Sequence, residues 1–208
     1  MTEALDIAAA QNAPVKRDPF PYFIVPGFIK SEVLPALEKD YPDVTKPGSF
    51  PLDTVQGGPA FDTLMEELRG PEFRNVVAQK LGIDLKGKPT MVTVRGCTRA
   101  RDGQIHTDSK TKLVTVLLYM NGQWEAPGGR LRLLRSPDNL NDIIEEIPPQ
   151  AGTLLVFLNA PNAWHGHEPF EGKRRTIQLN WVSSQGVVIR EQLRHKISAF
   201  FKSFKKAA

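Results

Sequence analysis

Cysteine occurs once in this 208-residue chain, at Cys97, so no internal disulfide can form, and that usage fits a reducing compartment. The N-terminal stretch "MTEALDIAAAQNAPVKRDPF" is acidic early and lacks a basic segment leading into an apolar one. No secretory signal is expected, and the expected location is cytoplasmic. No run approaches the roughly 20 apolar residues that span a bilayer, and no internal repeat marks a solenoid or propeller. A strong charge of one sign is also missing. Formal net charge is +4, and the excess sits at the end, where Arg190, Arg194, Lys196, Lys202, Lys205 and Lys206 stand against Glu191. Without that stretch the chain is close to neutral, so nucleic acid is not expected as a partner.

What is present is an ordinary globular composition, 40% hydrophobic and 24% charged, in a chain long enough to bury one sizeable core. Residues 1–17 are small, polar and punctuated by Pro14 and Pro19, and read as a mobile arm. Residues 18–186 read as a single domain with helical support over 28–85 and a jelly-roll core over 90–183. "PYFIVPGFI" is predicted as a short strand, and Ser31 as the cap of a helix through "SEVLPALEKD". Two further helices are predicted in "AFDTLMEELRG" and "PEFRNVVAQKLG", each ending at a glycine. From residue 90 the runs "TMVTVRG", "KLVTVLLYMN", "GRLRLLR", "GTLLVFLN" and "RRTIQLNWV" are short, β-rich and separated by turn residues. The expected architecture is mainly β, a small jelly roll or barrel with helices outside. Residues 187–208 are expected to form a basic amphipathic helix, since Ile189, Leu193, Ile197, Phe200, Phe201 and Phe204 follow helical spacing. Such a helix packs on the domain, pairs two copies, or lies on an anionic membrane surface.

In "IHTDSKTKLVTVLLYMN" a histidine and an aspartate stand one residue apart just before a strand built for burial. Residues i and i+2 of a strand share a face, so His106 and Asp108 are predicted to point together. Another histidine, His165, follows in "NAWHGHEPFEGKRRTIQLNW". Two imidazoles and a carboxylate on one face of an ion match the facial triad of non-haem Fe(II) chemistry. The blander reading is a surface pair at a strand entry plus a satisfied core histidine. Arg174 opens the last apolar strand and Tyr119 closes the one after Asp108; a buried arginine beside a tyrosine hydroxyl makes a carboxylate receptor. Alternation predicts that Arg174, Thr176, Gln178 and Asn180 face inward, with Arg175, Ile177, Leu179 and Trp181 packed under the helices.

The segment "IHTDSKTKLVTVLLYMNGQWEAPGGRLRLL", with "AGTLLVFLNAPNAWHGHEPFEGKRRTIQLNW", resembles the 2-oxoglutarate- and Fe(II)-dependent oxygenases of the prolyl-hydroxylase-like branch. The resemblance rests on His-x-Asp, Tyr-x-Asn-x-x-Trp, a Gly-Gly turn, and His-x-x-x-Pro-x-x-x-x-Arg, over roughly residues 90–183. It implies a double-stranded β-helix of cupin-like type. It further implies Fe(II) on His106, Asp108 and His165, and 2-oxoglutarate held at its distal carboxylate by Arg174 and Tyr119, with Thr115 and Asn180 as further contacts. Oxygen is the co-oxidant, succinate and carbon dioxide leave, ascorbate serves as reductant, and an unactivated C–H bond of a small molecule or peptide is hydroxylated. Because Asp108 is present, halogenation is disfavoured. His167 shares the face of His165, but the nine-residue spacing to Arg174 favours His165 as the ligand.

Arg95, Arg99, Arg101, Lys110 and Lys112 surround the two ligands in "VRGCTRARDGQIHTDSKTK". With His167 they form a candidate substrate rim, suited to an anionic group, or else a solvated charged loop. Two other functions compete with the oxygenase: a metal-binding jelly roll with isomerase or lyase chemistry, and a catalytically silent binding module.

Overall fold

The computed structural model describes residues 3–190. Nine strands fall into two antiparallel sheets with four helices on one side. The larger sheet runs in the order β1 (Tyr22–Val25), β7 (Leu154–Leu158), β4 (Lys112–Tyr119), β9 (Gly172–Val182), β3 (Thr90–Thr98) and β2 (Phe50–Pro51). The smaller one is β6 (Ile143–Ile147), β5 (Leu131–Leu134) and β8 (Trp164–Gly166). This is the expected jelly roll, although the larger sheet stays open at β1 and β2 rather than closing into a barrel.

Both faces of the large sheet are covered, which explains why its central strands read as apolar almost without interruption. On β4, Val114, Val116 and Leu118 join Ile177, Leu179 and Trp181 of β9 beneath the helices. There they meet Phe61, Leu64 and Leu68 of α3 (Pro59–Arg69) and Phe73, Val76 and Val77 of α4 (Pro71–Leu81). The opposite face carries Leu117, Tyr119, Leu155 and Phe157, which pack on Leu131, Leu133 and Ile147 of the small sheet. The α4 end matches its glycine: Gly82 takes a left-handed conformation and closes the helix.

Two expectations need correction. The first described residues are not a mobile arm. Ala4, Leu5 and Ala10 are buried, Ile7–Asn12 form α1 capped by the Asp6 side chain, and Leu5 bridges Ile29. Glu67 of α3 anchors the segment, its carboxylate accepting hydrogen bonds from the amides of Ala4 at 2.9 and 3.0 Å and of Leu5 at 2.9 Å. Nor does Ser31 cap a helix. Ser31–Val33 make a 3-10 turn, and α2 (Leu34–Asp40) starts on Val33 without a side-chain cap because its second residue, Pro35, needs no amide partner.

Residues 185–190 are helical; Val187 and Val188 are buried against Met91, while Ile189 is exposed. The remainder of the expected amphipathic helix lies outside the described residues. Among the described residues, no helix is long and apolar enough to cross a membrane.

Glu67→Ala strands two backbone donors and is expected to cost about 1–3 kcal/mol. The urea midpoint should fall and the first dozen residues should become protease-sensitive. An unchanged midpoint would show that the segment is held by apolar packing alone.

Candidate active site

Between the two sheets lies a cavity of about 700 Å3 whose polar wall comes from the inward faces of β3, β4 and β9. The register of β4 against β9 sets Thr115 opposite Asn180 and Tyr119 opposite Thr176. Directly opposed residues of an antiparallel pair share a face, so one side of the sheet receives all four polar side chains. Arg174, Thr176 and Asn180 are buried, and Gln178 lines the same wall. The predicted alternation of β9 is what the structure has.

His106 and Asp108 are not on a strand, contrary to the argument that paired them. They lie in the loop before β4, and His106 touches the sheet only through a two-way backbone bridge with His165, both N–H···O distances being 3.0 Å. That bridge, not strand alternation, brings the imidazoles together, with ring centroids 4.3 Å apart. Ligand atoms of His106, Asp108 and His165 all lie within 4.8 Å of one another.

Each group is held in a form that binds a cation. His106 Nδ1 is 2.8 Å from the Gln104 carbonyl, and His165 Nδ1 is 3.0 Å from the Ala163 carbonyl. A carbonyl only accepts, so Nδ1 carries the proton in both rings and Nε2 keeps a free lone pair. Asp108 accepts from Lys112 Nζ at 2.6 Å on one oxygen and from the Thr115 hydroxyl on the other. Thr115 in turn accepts from Asn180 Nδ2 at 2.8 Å. Burial alone would raise the Asp108 pKa, but Lys112 and His165 outweigh it and hold the carboxylate below its usual range. Thr115 and Asn180, expected as cosubstrate contacts, therefore direct their hydrogen bonds at the carboxylate.

Deeper in the cavity Tyr119 is fully buried and Arg174 nearly so, the guanidinium 5.4 Å from the phenol ring centroid. Arg174 Nε donates to the Gly129 carbonyl at 2.8 Å. Among the described residues, its Nη2 and the Tyr119 hydroxyl have no hydrogen-bond partner. Burial raises the Tyr119 pKa despite the opposing Arg174 charge, so the phenol stays protonated and able to donate. Two buried donors left open beside each other call for an acceptor that the described residues do not supply.

The basic residues divide. Arg95 lines the cavity from β3. Arg99 is spent on Asp102, at 3.0 Å, and Arg101 and Lys110 are exposed and do not line the cavity. His167 is a buried wall residue, its Nδ1 2.8 Å from the Glu168 carbonyl and its ring against Gly103, where a Cβ would come within 2.3 Å. It is outside the metal-capable cluster. Two residues have roles that the sequence did not reveal. Lys112 pairs with Asp108 four residues away, and Gly129 orients Arg174 from a separate turn.

Residues 96–183 match the family model of the 2OG-Fe(II) oxygenase superfamily. Comparison with curated proteins returns no match. Among solved structures, a Pseudomonas putida prolyl-4-hydroxylase is similar at 18% identity and a TM-score of 0.58, over 86% of this chain and 98% of its own. A prolyl 4-hydroxylase from Phytophthora capsici gives 16% and 0.59, over 89% and 68%. The viral collagen prolyl hydroxylase of Paramecium bursaria Chlorella virus-1, in its 2OG complex, gives 17% and 0.50, over 80% and 98%.

Burial, reinforced by the neighbouring His106, lowers the His165 pKa from 6.5 to about 4. The unfolded chain therefore takes up protons that the folded one refuses, and stability falls as pH drops from about 6.5 toward 4, by about 3 kcal/mol for this one ring. The urea midpoint of metal-free protein at pH 7 and pH 4.5 should show the drop, and His165→Gln should lessen it. A drop of the same size in the variant would remove His165 as its source.

Proposed function

We propose that this chain, whose residues 96–183 match the 2OG-Fe(II) oxygenase superfamily, is a 2-oxoglutarate- and Fe(II)-dependent oxygenase that hydroxylates an unactivated C–H bond in the cavity between its sheets. His106 and His165 would ligate iron through Nε2 and Asp108 through a carboxylate oxygen. Tyr119 and Arg174 would hold the distal carboxylate of 2-oxoglutarate. The observation that carries this reading is the pair of orphaned donors, the Tyr119 hydroxyl and Arg174 Nη2, in the same cavity as a metal-capable triad.

When bound, Fe(II) and 2-oxoglutarate supply the oxidising chemistry, in which O2 is consumed, succinate and carbon dioxide are released and one oxygen atom reaches the substrate. The chain's own residues do the positioning. The carbonyls of Gln104 and Ala163 fix the tautomers that leave both Nε2 atoms free. Lys112 and the Asn180–Thr115 relay stop the Asp108 carboxylate from rotating, and each oxygen still keeps a lone pair for the ion. The guanidinium only donates and carries charge, and the protonated phenol donates beside it, so the pair favours a carboxylate over an amide or alcohol at that point. Leu117 and Leu131 lie on the cavity wall and keep that end apolar. Ascorbate would restore iron that oxidises without turnover.

An isomerase or lyase built on the same triad would have no use for Tyr119 and Arg174 left open together, and a silent binding module no use for either group. Both small molecules and peptides remain substrate classes of this reading. The structural neighbours are prolyl hydroxylases, but prolyl specificity does not transfer at such identities, because substrate choice rests on loops rather than fold.

Anaerobic addition of Fe(II) and 2-oxoglutarate should give a weak visible charge-transfer band, followed in air by succinate release; no band in the wild type would defeat the proposal. Arg174→Gln should weaken 2-oxoglutarate about 10- to 100-fold with Fe(II) affinity retained, since it removes charged hydrogen bonds from one carboxylate. Thr115→Val should act the other way round, weakening Fe(II) about 10- to 100-fold by freeing the ligating carboxylate. Titrations monitored by the same band separate the two.

A further inference from the structure

Among the described residues, the cavity is lined by four cationic side chains, Arg95, Lys112, Arg174 and Arg190, and by a single acid, Asp108. Under the function proposed above, Fe(II) and the two carboxylates of 2-oxoglutarate cancel, so loading the site leaves this surplus as it was. Lys112 is matched by Asp108, and Arg174 by the cosubstrate. Arg95 has only the charge of Asp102 in its support, and that acid is already bound elsewhere. Its guanidinium has no hydrogen-bond or ion-pair partner among the described residues. The acid closest to serving it, Asp102, already accepts from the Arg99 amide at 3.0 Å and from Arg99 Nη2 at 3.0 Å.

The register puts Arg95 inside the site. Arg95 stands opposite Thr176, which on its other side stands opposite Tyr119, so the three lie in one row across the sheet on the cavity face. Arg174 is two residues from Thr176 on the same face and reaches its hydroxyl at 3.5 Å. Burial and the Arg174 charge both press the Arg95 pKa down. A guanidinium does not escape such a position by losing its proton, so it needs a counter-ion.

We propose that Arg95 determines specificity by receiving an oxyanion of the substrate, a carboxylate or a phosphate, so that the target C–H bond belongs to an anionic molecule. The proposal rests on the oxygenase reading. A planar five-donor fork suits a two-oxygen face, and a half-buried cation without an ion-paired acid discriminates against neutral analogues because their binding desolvates it without compensation. Arg99, Arg101 and Lys110 contribute no such contact: the first is bound to Asp102, and the others lie off the cavity lining.

The test uses full-length protein loaded anaerobically with 2-oxoglutarate and Mn(II) in place of Fe(II). Acetate and inorganic phosphate are titrated separately at constant ionic strength, and the paramagnetic relaxation of the methyl protons and of phosphorus reports binding near the metal. At least one probe should bind, and Arg95→Gln should weaken it about tenfold or more, the loss of a charged hydrogen-bonded pair. Arg95→Lys should recover part of the affinity, while 2-oxoglutarate affinity stays unchanged in both variants. The probe that responds tells carboxylate from phosphate. Equal probe binding in wild type and Arg95→Gln overturns the proposal and leaves the oxygenase reading intact. So does a loss of 2-oxoglutarate affinity in Arg95→Gln as large as that in Arg174→Gln, because Arg95 would then belong to the cosubstrate. Failure of the wild type to bind Mn(II) with 2-oxoglutarate removes both readings together.

Discussion

The register between β4 and β9 is the constraint on which the site depends. It pairs Thr115 with Asn180 and Tyr119 with Thr176, and it leaves Val116, Leu118, Ile177 and Leu179 for the helices. A slip of one residue would invert both strands, setting Arg174 and Asn180 into the apolar layer over Phe73 and Trp181 and moving Ile177 and Leu179 into the cavity. Burying an unpaired guanidinium among aromatic rings costs far more than any local preference could offset. The apolar core of the helix layer thus enforces the geometry of the polar face. Phe73 and Trp181, with ring centroids 6.1 Å apart, never touch the cavity, yet they fix the side of the sheet on which it forms.

The arginine end of the cavity is also held from outside the sheet. Arg174 depends on the Gly129 carbonyl for its orientation, and the turn that offers this carbonyl is set by close packing. Gly129 has φ +77°, and a Cβ there would lie 2.9 Å from Trp124 and 3.1 Å from Phe170. Trp124 packs on Phe170 at 4.7 Å and donates to the Gly128 carbonyl at 3.0 Å, while Arg130 donates to the Trp124 carbonyl. The Gly-Gly turn and the tryptophan that precedes it are therefore one clamp. The indole contacts no cavity atom and acts on the site only through the carbonyl next to the one it binds.

How much of this could be read in the sequence follows from the range of each interaction. β4 was legible as a nearly unbroken apolar run, β9 because it alternates polar and apolar faces, and α3 and α4 because prolines and glycines mark their ends. β8 was not, since three residues, Trp164–Gly166, carry no period, and β6 hides because its glutamates break an apolar run. The N-terminal segment looked free because its anchor, the Glu67 carboxylate, lies more than sixty residues away and binds backbone amides, which no side-chain pattern reveals. The three metal-capable groups do converge, but not by the strand alternation from which their pairing was argued. His106 and Asp108 converge through a loop and a bridge to His165, so their spacing was a sound signal whereas the strand invoked for it was absent.

The basic residues before the triad show the same limit in reverse. As a string, Arg95, Arg99, Arg101 and Lys110 are four similar cations, and composition gives no reason to separate them. Pairing with β9 separates them by geometry: Arg95 faces the cavity from within the sheet, whereas the rest follow the strand's irregularity at Arg95/Cys97 out into the loop. There Arg99 finds Asp102 and the others find water. A cation in water is stabilised by solvent and says little about partners, while a cation enclosed in a cavity lacks that option and must be compensated by what the cavity binds. The same sheet register that buries Arg174 deep in the cavity thus sets Arg95 on the cavity face, apart from the cations of the loop.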